Sequence, residues 1–208
     1  MVSLLIIITL SYLVGSFPTA IIAGKLILKD DIRNHGSGNA GATNVYRVMG
    51  WKPALVVVLV DIGKGVVATL LISKIGTNQV SLDLTLIRIA AGASAIIGHI
   101  WTIFAGFKGG KGVGTAFGVL LALAPIASGA SGVIWIILVF TTRIVSIGSI
   151  SAGILFPIML IIEKKLLNKH ISNSLIIMGI LIALLIIVTH RSNIFRLIKG
   201  EENRFGSR

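Results

Sequence analysis

The stretch Asn34-His35-Gly36-Ser37-Gly38-Asn39-Ala40-Gly41-Ala42-Thr43-Asn44 precedes Tyr46, Arg47 and Met49 and leads to Gly50-Trp51-Lys52-Pro53. Glycines at 36, 38 and 41 let the backbone approach a ligand closely and take positive φ, which turns successive N–H groups towards an anion. Ser37, Asn39, Thr43 and Asn44 add hydroxyl and amide donors, and Arg47 offers a planar fork for phosphate oxygens. The chemistry indicated is anion binding. The same glycines satisfy G-x-G-x-x-G, but the preceding strand and following amphipathic helix of a dinucleotide unit are missing. The competing reading is a flexible polar loop between helices.

A second glycine-rich segment, Phe107-Lys108-Gly109-Gly110-Lys111-Gly112-Val113-Gly114-Thr115, follows Gly98-His99 and opens an apolar run. A glycine turn feeding a helix N-terminus, where unpaired N–H groups and the helix dipole favour negative charge, suits a phosphate cradle with Lys108 and Lys111 as point charges. It is not a Walker A loop, because Ala105 and Gly112 stand where that motif requires Gly and Ser or Thr. The alternative is a basic turn that merely obeys the positive-inside rule. His190, Asn193 and Leu197 share one helical face, as catalytic groups or as an interfacial anchor. The acids are Asp30, Asp31, Asp61, Asp83, Glu163, Glu201 and Glu202, with no H-x4-D or HExxH pattern to support metal hydrolysis or a His-Asp acyltransferase dyad. Asp61 and Lys64, three residues apart within an apolar run, read as a mutually neutralised pair, with a transport role as the alternative.

These segments need elements to hold them, and composition says what those are. With 208 residues, 55% hydrophobic and only 12% charged, and a mean hydropathy of +0.99, a soluble domain is excluded. Apolar runs near the ~17–25 residues that cross a bilayer recur at Leu4–Leu28, Ala54–Ile75, Leu84–Ala105, Val113–Ala127, Gly129–Thr141, Ile147–Ile162 and Ser174–Thr189. The fold class expected is therefore all-α, a polytopic membrane bundle of about seven transmembrane helices forming a single domain over residues 1–208. The fourth and fifth runs are short, and the break at 124–129 also suits a re-entrant pair. The N-terminus lacks a basic n-region and a cleavage site, and reads as a retained helix.

Placing the N-terminus outside puts thirteen Lys and Arg on the inner side, in 25–52, 106–112, 142–146 and the tail including Arg208, against four on the outer side. That asymmetry orients the C-terminus and both glycine-rich segments towards the cytoplasm. The net charge of +12 is spread through short loops, which favours anionic lipid head groups and phosphate substrates over nucleic acid. Without cysteine there is no disulfide, thiolate metal site or thiol nucleophile.

In order along the chain, Gly15-Ser16-Phe17-Pro18-Thr19-Ala20, His35 to Arg47, Asp61-Ile62-Gly63-Lys64-Gly65, Gly98-His99 with Phe107 to Val113, Arg143 to Ser149, and His190 to Glu201 resemble the bacterial acyl-phosphate-dependent glycerol-3-phosphate acyltransferase family. The chain departs at Trp101-Thr102, where the family more often has an aromatic–proline pair. The resemblance implies a seven-helix bundle of the bacterial inner membrane, acting in phospholipid biosynthesis. Its members transfer a fatty acyl group from acyl phosphate to the sn-1 hydroxyl of glycerol 3-phosphate, giving lysophosphatidic acid and phosphate. It implies catalytic roles for Ser37, Arg47, Lys111, His190 and Asn193. Substrate binding would fall to Gly36, Gly38, Asn39, Gly41, Thr43, Asn44, Lys108, Gly109, Gly110 and Ser146. No metal and no cofactor is implied. Membrane lipids and an acyl-phosphate-producing enzyme are the expected partners, and nucleic acid is not.

Acyl phosphate is an activated mixed anhydride, so positioning two anions and stabilising charge supplies most of the catalysis required. A small anion transporter is the main rival, and a non-catalytic membrane scaffold leaves the polar residues of 34–47 without a purpose.

Overall fold

Proline at position 18 cannot donate the N–H that would continue a helix, and the first apolar run is accordingly two helices rather than one. A computed structural model of the protein describes residues 2–75 and 82–205; Arg208, counted above with the tail, lies outside them. The described residues are helical with no strand, and the chain divides into two compact units, Met1–Leu123 and Ala124–Arg208.

The first unit contains α1 (Val2–Ser16), α2 (Thr19–Ile27), α3 (Ala42–Met49), α4 (Trp51–Leu70), α5 (Leu84–Ile100) and α6 (Val113–Leu123). Helix α1 packs on α5, and α4 packs on α6 and α3. Small residues make these crossings close: a Cβ on Gly15 would lie 2.1 Å from the Ala95 carbonyl oxygen, and one on Gly118 2.1 Å from that of Ile62. Such glycine contacts replace the hydrophobic effect, which does little between helices in lipid. Asp83 caps α5, its carboxylate accepting the Thr85 N–H at 3.0 Å.

The break at Pro18 must be repaired internally, because lipid offers a freed carbonyl no donor. The Thr102 hydroxyl donates to the Ser16 carbonyl, and the Lys64 ammonium donates to that of Phe17. Lys64 also binds Asp61 Oδ1 at 2.6 Å, and the Thr19 hydroxyl donates to the same oxygen at 3.4 Å. Asp61 and Lys64 are 4% and 5% exposed, so the pair read from the sequence is buried and neutral overall. It closes on a broken helix.

The second unit contains α7 (Pro125–Thr142), α8 (Val145–Leu166), α9 (Asn173–Thr189) and α10 (Arg191–Ile198). Helix α8 packs on both α7 and α9. Ser172 caps α9, accepting the Leu175 N–H at 3.2 Å.

All seven expected apolar runs are helical, with shifted boundaries. The break expected at 124–129 falls at Ala124, because Pro125 occupies the first turn of α7, where its missing N–H costs nothing. Helix α6 thus ends at Leu123, and its 11 residues rise about 16 Å, roughly half of a ~30 Å hydrocarbon layer. Among the described residues five helical segments are long and apolar enough to cross a membrane, or six if the pair α9 and α10, bent by 61°, is one span. The chain is an integral, multi-pass membrane protein.

Lys64→Met should lower stability by about 3–5 kcal/mol, because it leaves the Asp61 carboxylate buried without its counter-ion. Thermal unfolding in detergent reads this directly, and adding Asp61→Asn should recover part of the loss. A Lys64→Met protein that melts like wild type would contradict the account.

Candidate active site

In the first unit the polar stretch is a built loop rather than a flexible one. Asp31 caps a single 3-10 turn, Ile32–Asn34, by accepting the Arg33 N–H at 2.9 Å. Ile32 and Val45 are fully buried and pack with Ala20, Ile21, Ala40, Ala54 and Val57, which anchors both ends of the loop to α2 and α4. Between them Gly36 and Gly38 take left-handed φ of 59° and 71°, and Gly41 is the extended N-cap of α3.

Asn44, 1% exposed, holds this shape. Its Oδ1 accepts the Ser37 N–H at 2.7 Å, and its Nδ2 donates to the carbonyls of Ile32 at 3.1 Å and His35 at 2.9 Å. A Cβ at Gly36 would stand 2.3 Å from Asn44 Oδ1, so space as well as φ demands glycine there. These bonds commit the Asn44 amide to shaping the loop. Ser37 is left exposed, while Asn39, Thr43 and Arg47 are half-buried on the loop and on α3.

Both carboxylates at the start of the loop are engaged. The Asp31 N–H, then His35 and Asn34, hold Asp30 below its ordinary range, and His35 Nε2 lies 2.8 Å from Asp30 Oδ2. Asp31 is held down chiefly by its hydrogen bonds from the Arg33 side chain.

The second glycine-rich segment differs from the cradle expected of it. Gly109 N–H donates to the Ile100 carbonyl at 2.9 Å and Gly110 N–H to that of His99 at 3.2 Å. These amides seal the C-terminus of α5, so they do not point at an anion. The glycines serve closeness instead: a Cβ on Gly110 would lie 2.3 Å from His99 Nε2 and 3.0 Å from the Ala40 carbonyl oxygen. The two glycine-rich segments therefore touch, and His99 lies beneath Gly110 with its Nδ1 3.6 Å from Asp61 Oδ1. Lys108 is exposed and Lys111 half-buried on this pinned segment.

In the second unit, α9 ends at His190, which is 4% exposed. Its Nδ1 lies 2.8 Å from the Ile186 carbonyl oxygen. A carbonyl only accepts, so Nδ1 carries a hydrogen. Three residues on, Asn193 Nδ2 donates to Glu202 Oε1 at 2.5 Å. The Ser146 hydroxyl donates to the same oxygen at 3.1 Å, and Arg196 Nε donates to Oε2 at 2.7 Å. Burial raises the Glu202 pKa, but the bonds from Arg196, Asn193 and Ser146 outweigh it and keep the carboxyl below the usual range.

Sequence reasoning placed Ser146, His190 and Asn193 in the site but missed Glu202, having ended its block at Glu201. Gly200, at φ 72°, reverses the chain after α10. Glu202 then turns inward and is buried, while Glu201 stays exposed. Spacing gives no signal for choosing between two adjacent glutamates. Arg33 was likewise read only as one of the loop's charges.

A family model described as glycerol-3-phosphate acyltransferase matches residues 5–200. A glycerol-3-phosphate acyltransferase of Pelodictyon phaeoclathratiforme is 44% identical over 233 residues, covering 98% of this chain and 97% of that one. One of Chlorobaculum parvum is 44% identical over 236 residues, covering all of both. The crystal structure of PlsY (YgiH), an integral membrane glycerol 3-phosphate acyltransferase in its glycerol 3-phosphate form, superposes with a TM-score of 0.86 at 36% identity, covering 98% of this chain and 96% of that one. A second form of that protein, with lysophosphatidic acid, gives a TM-score of 0.83.

Glu202→Gln should cost about 1–3 kcal/mol, the price of weakening a buried charged acceptor. Because the folded pKa is depressed, Glu202 contributes fully above the ordinary glutamate range, and its contribution is lost as pH falls through the lower folded value. Melting temperatures in detergent from neutral to acid pH should therefore converge for wild type and E202Q. A constant gap across that range would contradict the assignment.

Proposed function

The chain belongs to the glycerol-3-phosphate acyltransferase family, and from that premise we propose that residues 1–208 form one acyltransferase domain using acyl phosphate as donor and the sn-1 hydroxyl of glycerol 3-phosphate as acceptor. A role in phospholipid biosynthesis follows from the family. The hydroxyl oxygen attacks the acyl carbon, the carbon–oxygen bond to phosphate breaks, and its electron pair leaves on the phosphate. The products are lysophosphatidic acid and inorganic phosphate, which takes up the proton the hydroxyl loses.

The observation that carries this reading is the distribution of acids around the loops. No Asp or Glu occurs at 32–60 or 84–162 of the sequence, the stretches that carry Ser37, Arg47, Lys108 and Lys111. The two acids that precede the first loop are paired, Asp30 with His35 and Asp31 with Arg33. Basic residues concentrated in stretches of sequence that hold no acid favour phosphate groups, and offset the repulsion between two anionic substrates.

In this reading Ser37, Arg47, Lys108 and Lys111 bind phosphate, with Asn39 and Thr43 as further donors. Gly36, Gly38, Gly41 and Asn44 give the first loop its shape, and Gly109 and Gly110 bring the lysine segment down onto α5. His190 Nε2 accepts the hydrogen bond of the attacking hydroxyl, and Asn193 and Ser146 hold polar groups of the substrate. The mixed anhydride brings its own leaving group, so a strong acid–base dyad is unnecessary.

The excess of Lys and Arg supports an external N-terminus, with both glycine-rich segments and the C-terminus on the cytoplasmic side, and the family resemblance supports residence in the bacterial inner membrane. With that orientation and seven crossings, the turn at Ala124-Pro125 faces outward. A soluble enzyme that makes acyl phosphate is then the natural supplier of donor.

Detergent-purified protein with glycerol 3-phosphate should form lysophosphatidic acid from acyl phosphate and not from acyl-CoA or acyl carrier protein. His190→Ala and Lys111→Ala should each lower kcat/KM by about 100-fold or more in protein that still elutes as a folded species. Product from a thioester donor alone would overturn the donor assignment, and near-normal turnover in both variants would overturn the site.

A further inference from the structure

Arg33 is the side chain that ties the two glycine-rich segments together. Its Nε donates to both oxygens of Asp31, at 3.0 and 3.1 Å, and its Nη2 donates to Asp31 Oδ2 at 2.7 Å. Asp31 already caps the turn on which Arg33 sits, so the guanidinium is locked against its own loop by a carboxylate two residues earlier. The remaining nitrogen, Nη1, points across and donates to two carbonyl oxygens of the other segment, Ala105 at 2.9 Å and Lys108 at 3.0 Å.

Those two carbonyls bracket a turn that needs holding. Gly106 and Phe107 are consecutive left-handed residues, at φ 64° and 59°. For phenylalanine that conformation costs energy and persists only where surrounding contacts over-determine it. Phe107 N–H donates to the Thr102 carbonyl at 2.8 Å, and Arg33 secures both sides of the turn. Lys108 follows immediately, and its own carbonyl is one of the two held. Each of the three guanidinium nitrogens thus donates to Asp31 or to a backbone carbonyl, which arranges Arg33 to hold the protein's own segments.

We propose that Arg33, locked by Asp31, is a positioning residue that fixes the Lys108–Lys111 segment against the Gly36–Arg47 loop, so that the cations of both meet the phosphate of glycerol 3-phosphate together. The inference rests on the reading that these loops bind that phosphate. It depends on the planar fork, since a lysine carries the same charge but cannot hold a carboxylate and two carbonyls at once.

That difference supplies the test. Arg33→Lys should raise KM for glycerol 3-phosphate by about tenfold or more, with kcat and the KM for acyl phosphate changed far less, because misplaced ligands lose binding that is uniform between ground and transition states. Asp31→Asn separates the alternatives by sign. If Arg33 contacted substrate phosphate directly, removing its carboxylate partner would lower KM; the positioning role requires KM to rise. In the same preparations, hydrogen exchange at residues 106–110 should accelerate in both variants.

An R33K protein with wild-type KM and exchange, or a D31N protein with lowered KM, would overturn the positioning role while leaving the acyltransferase reading intact. Wild-type protein inactive with every donor would sink that reading instead, and the exchange measurement would still decide whether Arg33 holds the turn. Should R33K fail to purify as a folded protein, D31N carries the decision.

Discussion

A backbone carbonyl freed inside a membrane has to find a donor, and the interior of the first unit is organised by that requirement. Pro18 opens the first helix; the Ser16 carbonyl is taken by Thr102, and that of Phe17 by Lys64 together with the Thr19 N–H at 3.0 Å. Lys64 then needs a counter-ion, which Asp61 provides, and Asp61 lies beside His99, on whose ring and carbonyl Gly110 rests. A local break in the first span is thus coupled, contact by contact, to the seat of the lysine-bearing segment. The intramembrane charges serve the fold, and no separate transport pathway is needed to explain them.

The proposed anion-binding surface follows from a second economy in hydrogen bonds. Backbone N–H groups that glycine-rich sequence would offer to a ligand are partly committed within the protein: Ser37 N–H to Asn44, Gly109 and Gly110 N–H to the end of α5. What this commitment gains is rigidity, so that side chains on both segments start from fixed ground. In the second unit the same logic operates through Glu202, a buried acceptor that orients Ser146, Asn193 and Arg196 at once.

Much of this was legible from residue order. Apolar runs located the long helices but not α3, which is formed by the polar segment Ala42–Met49, and the ordered motif blocks located the loops and the family. The helix boundaries shifted where proline chemistry intervened, at Pro18 and Pro125, because a hydropathy window averages over the one residue that lacks a donor. The committed amides of Gly109 and Gly110 were not legible, since their partners lie at the end of a preceding helix whose return path sequence does not specify. Glu202 and Arg33 were missed for a related reason. Each is one of several charges in its segment, and only tertiary geometry shows that it is the one facing inward or across.

The central claim is that these loops grip a phosphate group and thereby orient the hydroxyl that reacts. Equilibrium binding of labelled glycerol 3-phosphate to the purified protein without acyl donor tests it most directly, with inorganic phosphate and glycerol as competitors. Phosphate should displace the ligand, and glycerol at equal concentration should not. Displacement by glycerol as effective as that by phosphate would show that recognition rests on the hydroxyls and would contradict the account.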